Sequence, residues 1–150
     1  MVEFLAVVND PKGGKSFQTK VTGQHANTLV GKKIGDEIDG IFVALPGYKL
    51  KITGGSDRSG FPMIGDLPGT RYRRILRSEG TGYHARTRHK KKRDKPTHER
   101  GLRKKKPVRG NTISPETSQL NLKITTRGAK PVEDLLKTEE KKGEEKKEKK

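Results

Sequence analysis

A chain of 150 residues with 27% hydrophobic side chains and no cysteine has room for one compact domain plus segments that cannot bury themselves; disulfides and thiolate metal sites are excluded. Its formal net charge of +17 is concentrated, because residues 71–110 hold 17 Lys+Arg against 3 Asp+Glu while residues 1–70 hold 8 against 7. A charge so localised is an electrostatic footprint, and its natural partner is a polyanion.

Taken in chain order, residues 2–8 (VEFLAVV) predict a mostly buried strand that ends at the turn-like NDPKGGK. Residues 16–21 alternate polar and apolar, with Phe17, Thr19 and Val21 on one face, and predict its hairpin partner. Residues 25–34 predict a short helix limited by Gly31 and Gly35. Two further strands are expected over 38–45 (IDGIFVAL) and 48–53 (YKLKIT), separated by the turn at Pro46 and Gly47. In the second of these, Tyr48, Leu50 and Ile52 face one way and Lys49, Lys51 and Thr53 the other. Residues 72–76 and 120–126 complete a set of six short strands with Gly/Pro punctuation and little helix, which argues for an all-β fold, a small barrel or sandwich, with a barrel-like domain the expectation. The expected organisation is a core of residues 1–83 and 110–130, a basic extended segment over 84–109, and a charged C-terminal helix or tail over 131–150 whose helix starts at 131–137. The segment 84–109 lacks apolar periodicity, so burial cannot offset the entropy of ordering it without a neutralising partner. No apolar run approaches the ~18 residues of a membrane span, and Glu3 with no basic region before it makes a poor secretory signal. The expected location is the cytoplasm, with no membrane partner.

Two stretches imitate a phosphate-binding loop. In the first, residues 9–16 (NDPKGGKS), the Gly-Lys-Ser end matches, but Asn9 stands where the first glycine is required and a proline interrupts the middle. A basic hairpin turn is the better reading. In the second, ITGGSDRSGFPM over residues 52–63, Gly55 and Gly60 have the right spacing, yet Phe61 and Pro62 replace the lysine and hydroxyl residue. Pro62 also disfavours a helix that would receive an anion. A structural loop is expected instead. Gly54 and Gly55 suggest positive φ angles or a bulge, Asp57 an Asx-type turn, and Phe61 and Met63 apolar plugs returning the chain to the core.

The same twelve residues resemble the signature of the S-six-e family of archaeal and eukaryotic small-subunit ribosomal proteins: an aliphatic residue, a small residue, Gly-Gly, one variable position, Asp, two variable positions, Gly, any residue, Pro-Met. Gly54, Gly55, Asp57, Gly60, Pro62 and Met63 occupy its fixed positions. The opening residues 1–16, the basic turn 106–110 (KPVRG) and the stretch 120–122 (LNL) are similar too, so the resemblance spans roughly residues 1–130. It implies a ribosomal RNA-binding protein of the small subunit with a barrel-like core, whose partners are ribosomal RNA and neighbouring ribosomal proteins. The eukaryotic members' long serine-bearing C-terminal extension has no counterpart, since residues 138–150 contain no serine, and the length resembles archaeal members.

Between residues 86 and 109 stand 13 basic and 2 acidic residues, a density that points to nucleic acid rather than to a solvated face. The candidate RNA-binding residues are Arg71, Arg73, Arg74, Arg86, Arg88, Lys90, Lys91, Lys92, Arg93, Lys95, Arg100, Arg103, Lys104, Lys105, Lys106 and Arg109. Arginine forks bridge phosphate oxygens, while lysines act as point charges. Tyr83, His84 and His89 offer rings for unpaired bases, or serve as local packing and spacers. Zinc at His84, His89 and His98 is disfavoured, for no cysteine assists and cations crowd all three. Asp36, Glu37 and Asp39 sit on a turn, and Glu79, Asp94 and Glu99 are isolated among cations, so no acid–base or nucleophilic arrangement is found. Neither enzymatic activity, nor a cofactor, a metal or a small-molecule substrate is expected. A free nucleic-acid-binding protein, a chromatin or translation-regulatory factor, is the alternative function.

Overall fold

The structure is a computed structural model and describes residues 2–84, 101–133 and 135. The strands β1 (Glu3–Asp10), β2 (Lys15–Thr22), β3 (Glu37–Asp39), β4 (Lys49–Asp57) and β7 (Thr117–Thr126) form one sheet in the order β2-β1-β7-β4-β3, which curls into a half-barrel. The strands β5 (Tyr72–Arg77) and β6 (Lys104–Arg109) form a separate two-stranded ribbon. One short α-helix, α1 (Gly23–Leu29), follows β2. The fold is all-β.

Strand alternation builds the core as the sequence implies. Phe4, Ala6 and Val8 of β1, Leu50 and Ile52 of β4, and Leu120, Leu122 and Ile124 of β7 all face inward and are at most 4% exposed. Ala26 and Leu29 of α1, with Val43, Leu45, Tyr48 and Met63, join the same cluster. Truncating one of the buried leucines to alanine would cost about 2–5 kcal/mol. The last strand holds the sheet together, because β7 runs parallel to β1 on one side and antiparallel to β4 on the other.

Residues 38–45 depart from the expected strand. Only Glu37–Asp39 pairs, against Lys49–Lys51 of β4, and Gly40–Val43 then winds as a 3-10 helix. The run IFVAL has no polar alternation, and such runs do not distinguish strand from helix. Tight packing around Gly40 decides it: the Gly40 amide donates to the Tyr48 carbonyl at 2.7 Å and the Leu45 amide to the Gly40 carbonyl at 2.8 Å. Val43 and Leu45 then enter the core and Ile41 is left 59% exposed.

The strand β6 differs from expectation, since Lys104–Arg109 lies within the stretch read as extended. Three consecutive lysines have low strand propensity, and Pro107 is tolerated because an edge strand needs no donor there. Of the expected C-terminal helix, Val132, Glu133 and Leu135 are helical and Val132 is buried against the core. The remainder of the 131–150 tail lies outside the described residues.

Candidate nucleic-acid interface

Two stretches separated by some thirty residues meet in the ribbon. The register sets Tyr72 opposite Arg109, Arg74 opposite Pro107, Ile75 opposite Lys106, Leu76 opposite Lys105 and Arg77 opposite Lys104. Residues 71–77 and 103–109 together contain nine Lys and Arg and no acidic residue. Like charges directly opposite each other, as at Arg77 and Lys104, destabilise a strand pair, and a lone two-stranded ribbon is at best marginal. Something other than cross-strand charge must hold this one.

The ITGGSDRSGFPM loop is that support. The Met63 amide donates to the Gly55 carbonyl at 2.9 Å, the Arg109 amide to the Pro62 carbonyl at 2.9 Å, and the Ile64 amide to the Arg109 carbonyl at 3.1 Å. The loop is thus a bracket that bonds on one side to β4 and on the other to β6. Asp57, 6% exposed, closes it: Oδ1 accepts from the amides of Ser59 (2.6 Å) and Phe61 (3.3 Å), the expected Asx-type turn, and Oδ2 accepts from Arg109 Nε at 2.9 Å. Arg109 also pairs with the Glu116 carboxylate and donates from Nη1 to the Thr70 carbonyl at 3.2 Å. Burial by itself would raise the Asp57 carboxyl, but the Arg109 bond and the Phe61 and Ser59 amides outweigh it and hold the group below the usual carboxylate range. Burial likewise works against the Arg109 charge, and its two carboxylate partners overcome that and raise it.

The three signature glycines have three different explanations. Neither Gly54 nor Gly55 has positive φ, contrary to one of the two expectations, while the bulge expected as the other occurs as a register shift between Ile52 and Gly54. Gly55 is required by close approach, since a Cβ there would lie 2.4 Å from the Gln119 carbonyl oxygen. Gly60 does adopt φ +78 in the turn. Met63 is 4% exposed and joins the core, as expected, whereas Phe61 is only half-buried and leans on Tyr72.

The structure brings Arg71, Arg73, Arg74, Arg103, Lys104 and Lys105 together as exposed side chains of the ribbon and its mouth. Lys106 is half-buried, its Nζ lying 5.8 Å from the centre of the Tyr83 ring. Arg109 is engaged inside the bracket with an 18% exposed side chain. Arg86, Arg88, Lys90, Lys91, Lys92, Arg93, Lys95 and Arg100, with His89 and His98, lie outside the described residues. Tyr83 is 8% exposed, which is the local-packing alternative and not the stacking one. Two ribbon residues are missing from the set expected on sequence grounds. Arg77, half-buried in β5, donates to the Thr81 carbonyl at 3.2 Å, and Tyr72 exposes a ring among the arginines. Alternation of Tyr72 with Arg71 and Arg73 is a usable signal for the second.

The two phosphate-loop imitations are structural. Residues 9–16 make the hairpin turn between β1 and β2, closed by the Gly14 amide on the Asp10 carbonyl at 2.9 Å. Among the described residues no three His, Asp or Glu side chains gather as they would around a metal ion, and no helix is long and apolar enough to cross a membrane.

A family profile described as ribosomal protein S6e matches residues 4–137. The chain is 48% identical over 142 residues to the small ribosomal subunit protein eS6 of Methanocella arvoryzae, covering 95% of this chain and 92% of that one. It is 46% identical to the protein of the same name from Archaeoglobus fulgidus (93% and 99% covered) and 43% identical to that of Haloarcula marismortui (91% and 96% covered). The family is one of ribosomal structural proteins and not of enzymes. With the bracket, the half-barrel and this match along nearly its whole length, the chain belongs to the ribosomal protein S6e family.

Proposed function

We propose that this protein is a structural constituent of the small ribosomal subunit in the cytoplasm, holding ribosomal RNA through the β5–β6 ribbon and the basic segment that joins its strands. The observation that carries the reading is the ribbon itself, nine cations and no acidic residue on two paired stretches. Pairing them costs electrostatic energy that phosphate neutralisation returns. Release of condensed counterions supplies the affinity, and the rigid bracket holds the cationic surface at a set position on the half-barrel. Arg71, Arg73 and Arg74 offer planar forks to phosphate oxygens, and Lys104 and Lys105 act as point charges. The residues of 84–109 extend the same charge, and neighbouring ribosomal proteins complete the surroundings. Asp57 and Glu116 occupy Arg109, which therefore serves the bracket and not a phosphate.

The names of the relatives favour the ribosome over a free nucleic-acid-binding role. Sucrose-gradient sedimentation of a lysate at low and high salt is the test. The protein is expected to travel with small subunits in near-stoichiometric amount; recovery mainly in the free fractions at low salt would refute the ribosomal reading and leave the chromatin or regulatory alternative.

A further inference from the structure

Phosphate attraction does not explain why an aromatic ring stands open amid the ribbon's cations. The chain has three tyrosines, of which Tyr48 and Tyr83 are 4% and 8% exposed, whereas Tyr72 is 41% exposed. Two contacts hold it in place. One side leans on Phe61 of the bracket, with ring centres 5.3 Å apart and planes tilted by 51°, and its hydroxyl accepts a hydrogen bond from Arg74 Nε at 3.2 Å. The ring forms part of the wall of an open cleft of about 690 Å³, shared with Thr70, Arg71, Arg109, Pro115 and Glu116. A ring backed by a second ring, oriented from its tip and facing open space beside arginines has the form of a stacking shelf.

We propose that this cleft takes one unpaired nucleobase of the bound RNA, stacked on Tyr72, with Arg71 and Arg74 holding the phosphates that flank it. The inference rests on the RNA-binding reading above and adds to it a site that distinguishes unpaired from paired nucleotides. Base faces inside a duplex are covered by their neighbours, so an unpaired base, bulged, looped or overhanging, is the one that reaches the shelf. Every base has a π-face, so stacking alone is tolerant of sequence. The Glu116 carboxylate at the cleft wall adds an acceptor for a base amino or ring N–H group.

The full-length protein is titrated at low salt with a short oligoadenylate, a blunt-ended RNA duplex of matched charge, and inorganic polyphosphate, following intrinsic tyrosine emission and affinity together. Oligoadenylate is expected to quench the wild-type emission while the duplex and polyphosphate leave it unchanged. Tyr72→Phe keeps the stacking ring and its Phe61 backing but loses the tyrosine emission and the hydroxyl bonded by Arg74, so it binds oligoadenylate within a few-fold of wild type with no quenching. Tyr72→Ala loses roughly tenfold or more in oligoadenylate affinity, as removal of one base-stacking aromatic does, with polyphosphate binding unaltered. Should Tyr72→Ala fold poorly, the wild-type quenching pattern and its loss in Tyr72→Phe still decide the matter. Equal quenching by polyphosphate, or a folded Tyr72→Ala that binds oligoadenylate as tightly as wild type, overturns the stacking site while leaving ribbon–phosphate binding in place. Failure to bind any of the nucleic acids at low salt overturns both.

Discussion

Replacing Gly55 by alanine places a methyl carbon 2.4 Å from the Gln119 carbonyl oxygen and 3.0 Å from Met63 Sδ. The methionine end is flexible and can swing away. The Gln119 carbonyl cannot, because it belongs to β7, and Gly55 stands opposite Leu120 in the β4–β7 ladder. A carbon and a carbonyl oxygen rest against each other at about 3.3–3.6 Å, so the two central strands must separate by roughly 1 Å at this point. Overpacking of this kind costs about 1–3 kcal/mol. For a domain of this size that lowers Tm by about 3–15 °C. Gly54, the adjacent residue, supplies the control. A Cβ there meets nothing within 4 Å and φ is not positive, so Gly54→Ala is expected to be neutral or to stabilise by up to ~1 kcal/mol through the unfolded chain. Thermal melts of the two variants, monitored by circular dichroism, provide the assay. A Gly55→Ala protein melting with or above wild type, or a Gly54→Ala protein melting as low as Gly55→Ala, would refute the close-approach argument.

Three other outcomes are expected. The Asp57 carboxyl is held below its unfolded value of about 3.9, so its stabilisation is complete above that pH and is lost as pH falls through the folded value. Urea midpoints of wild type and Asp57→Asn should therefore differ clearly at neutral pH and converge below about pH 4; a gap that stays constant into acid would contradict the ion-pair role. Arg109→Ala strands the nearly buried Asp57 carboxylate and should cost about 3 kcal/mol, and Arg109→Lys should recover little, since an ammonium cannot span Asp57, Glu116 and the Thr70 carbonyl as the guanidinium does; full recovery by lysine in chemical denaturation would show that charge alone matters. Changing Arg73, Lys104 and Lys105 to serine should leave the melt intact and make the slope of log affinity against log salt shallower by roughly 0.7–0.9 for each phosphate no longer neutralised, whereas an unaltered slope would move phosphate binding off the ribbon.

Much of the sheet is legible locally because strand alternation and turn chemistry are written within a few residues. Tyr48, Leu50 and Ile52, or Leu120, Leu122 and Ile124, declare their buried face by spacing alone, and they are buried. Asp57 declares its turn through a carboxylate short enough to reach amides two and four residues on. The concentration of charge over 71–110 is equally plain, and with it the kind of partner to seek.

The arrangement of the candidate site is not legible there. Nothing in KKKPVR signals a strand, and Lys104–Arg109 is one because Tyr72–Arg77 lies beside it and the bracket bonds to Arg109. Asp57 of the bracket and Glu116 draw Arg109 into ion pairs. Lys106 of β6 lies over the buried Tyr83 ring while Tyr72 stays open, so the exposed aromatic is not the one that sequence singles out. The adjacent glycines Gly54 and Gly55 divide in the same way, since close approach at Gly55 is set by a carbonyl of β7 some sixty residues away. By itself the sequence determined what depends on near neighbours: strand faces, the turn at Asp57 and the sign and place of the charge. Tertiary structure decided which cations share a surface and which is drawn inside, because these outcomes depend on the pairing of distant segments, and no local periodicity encodes that register.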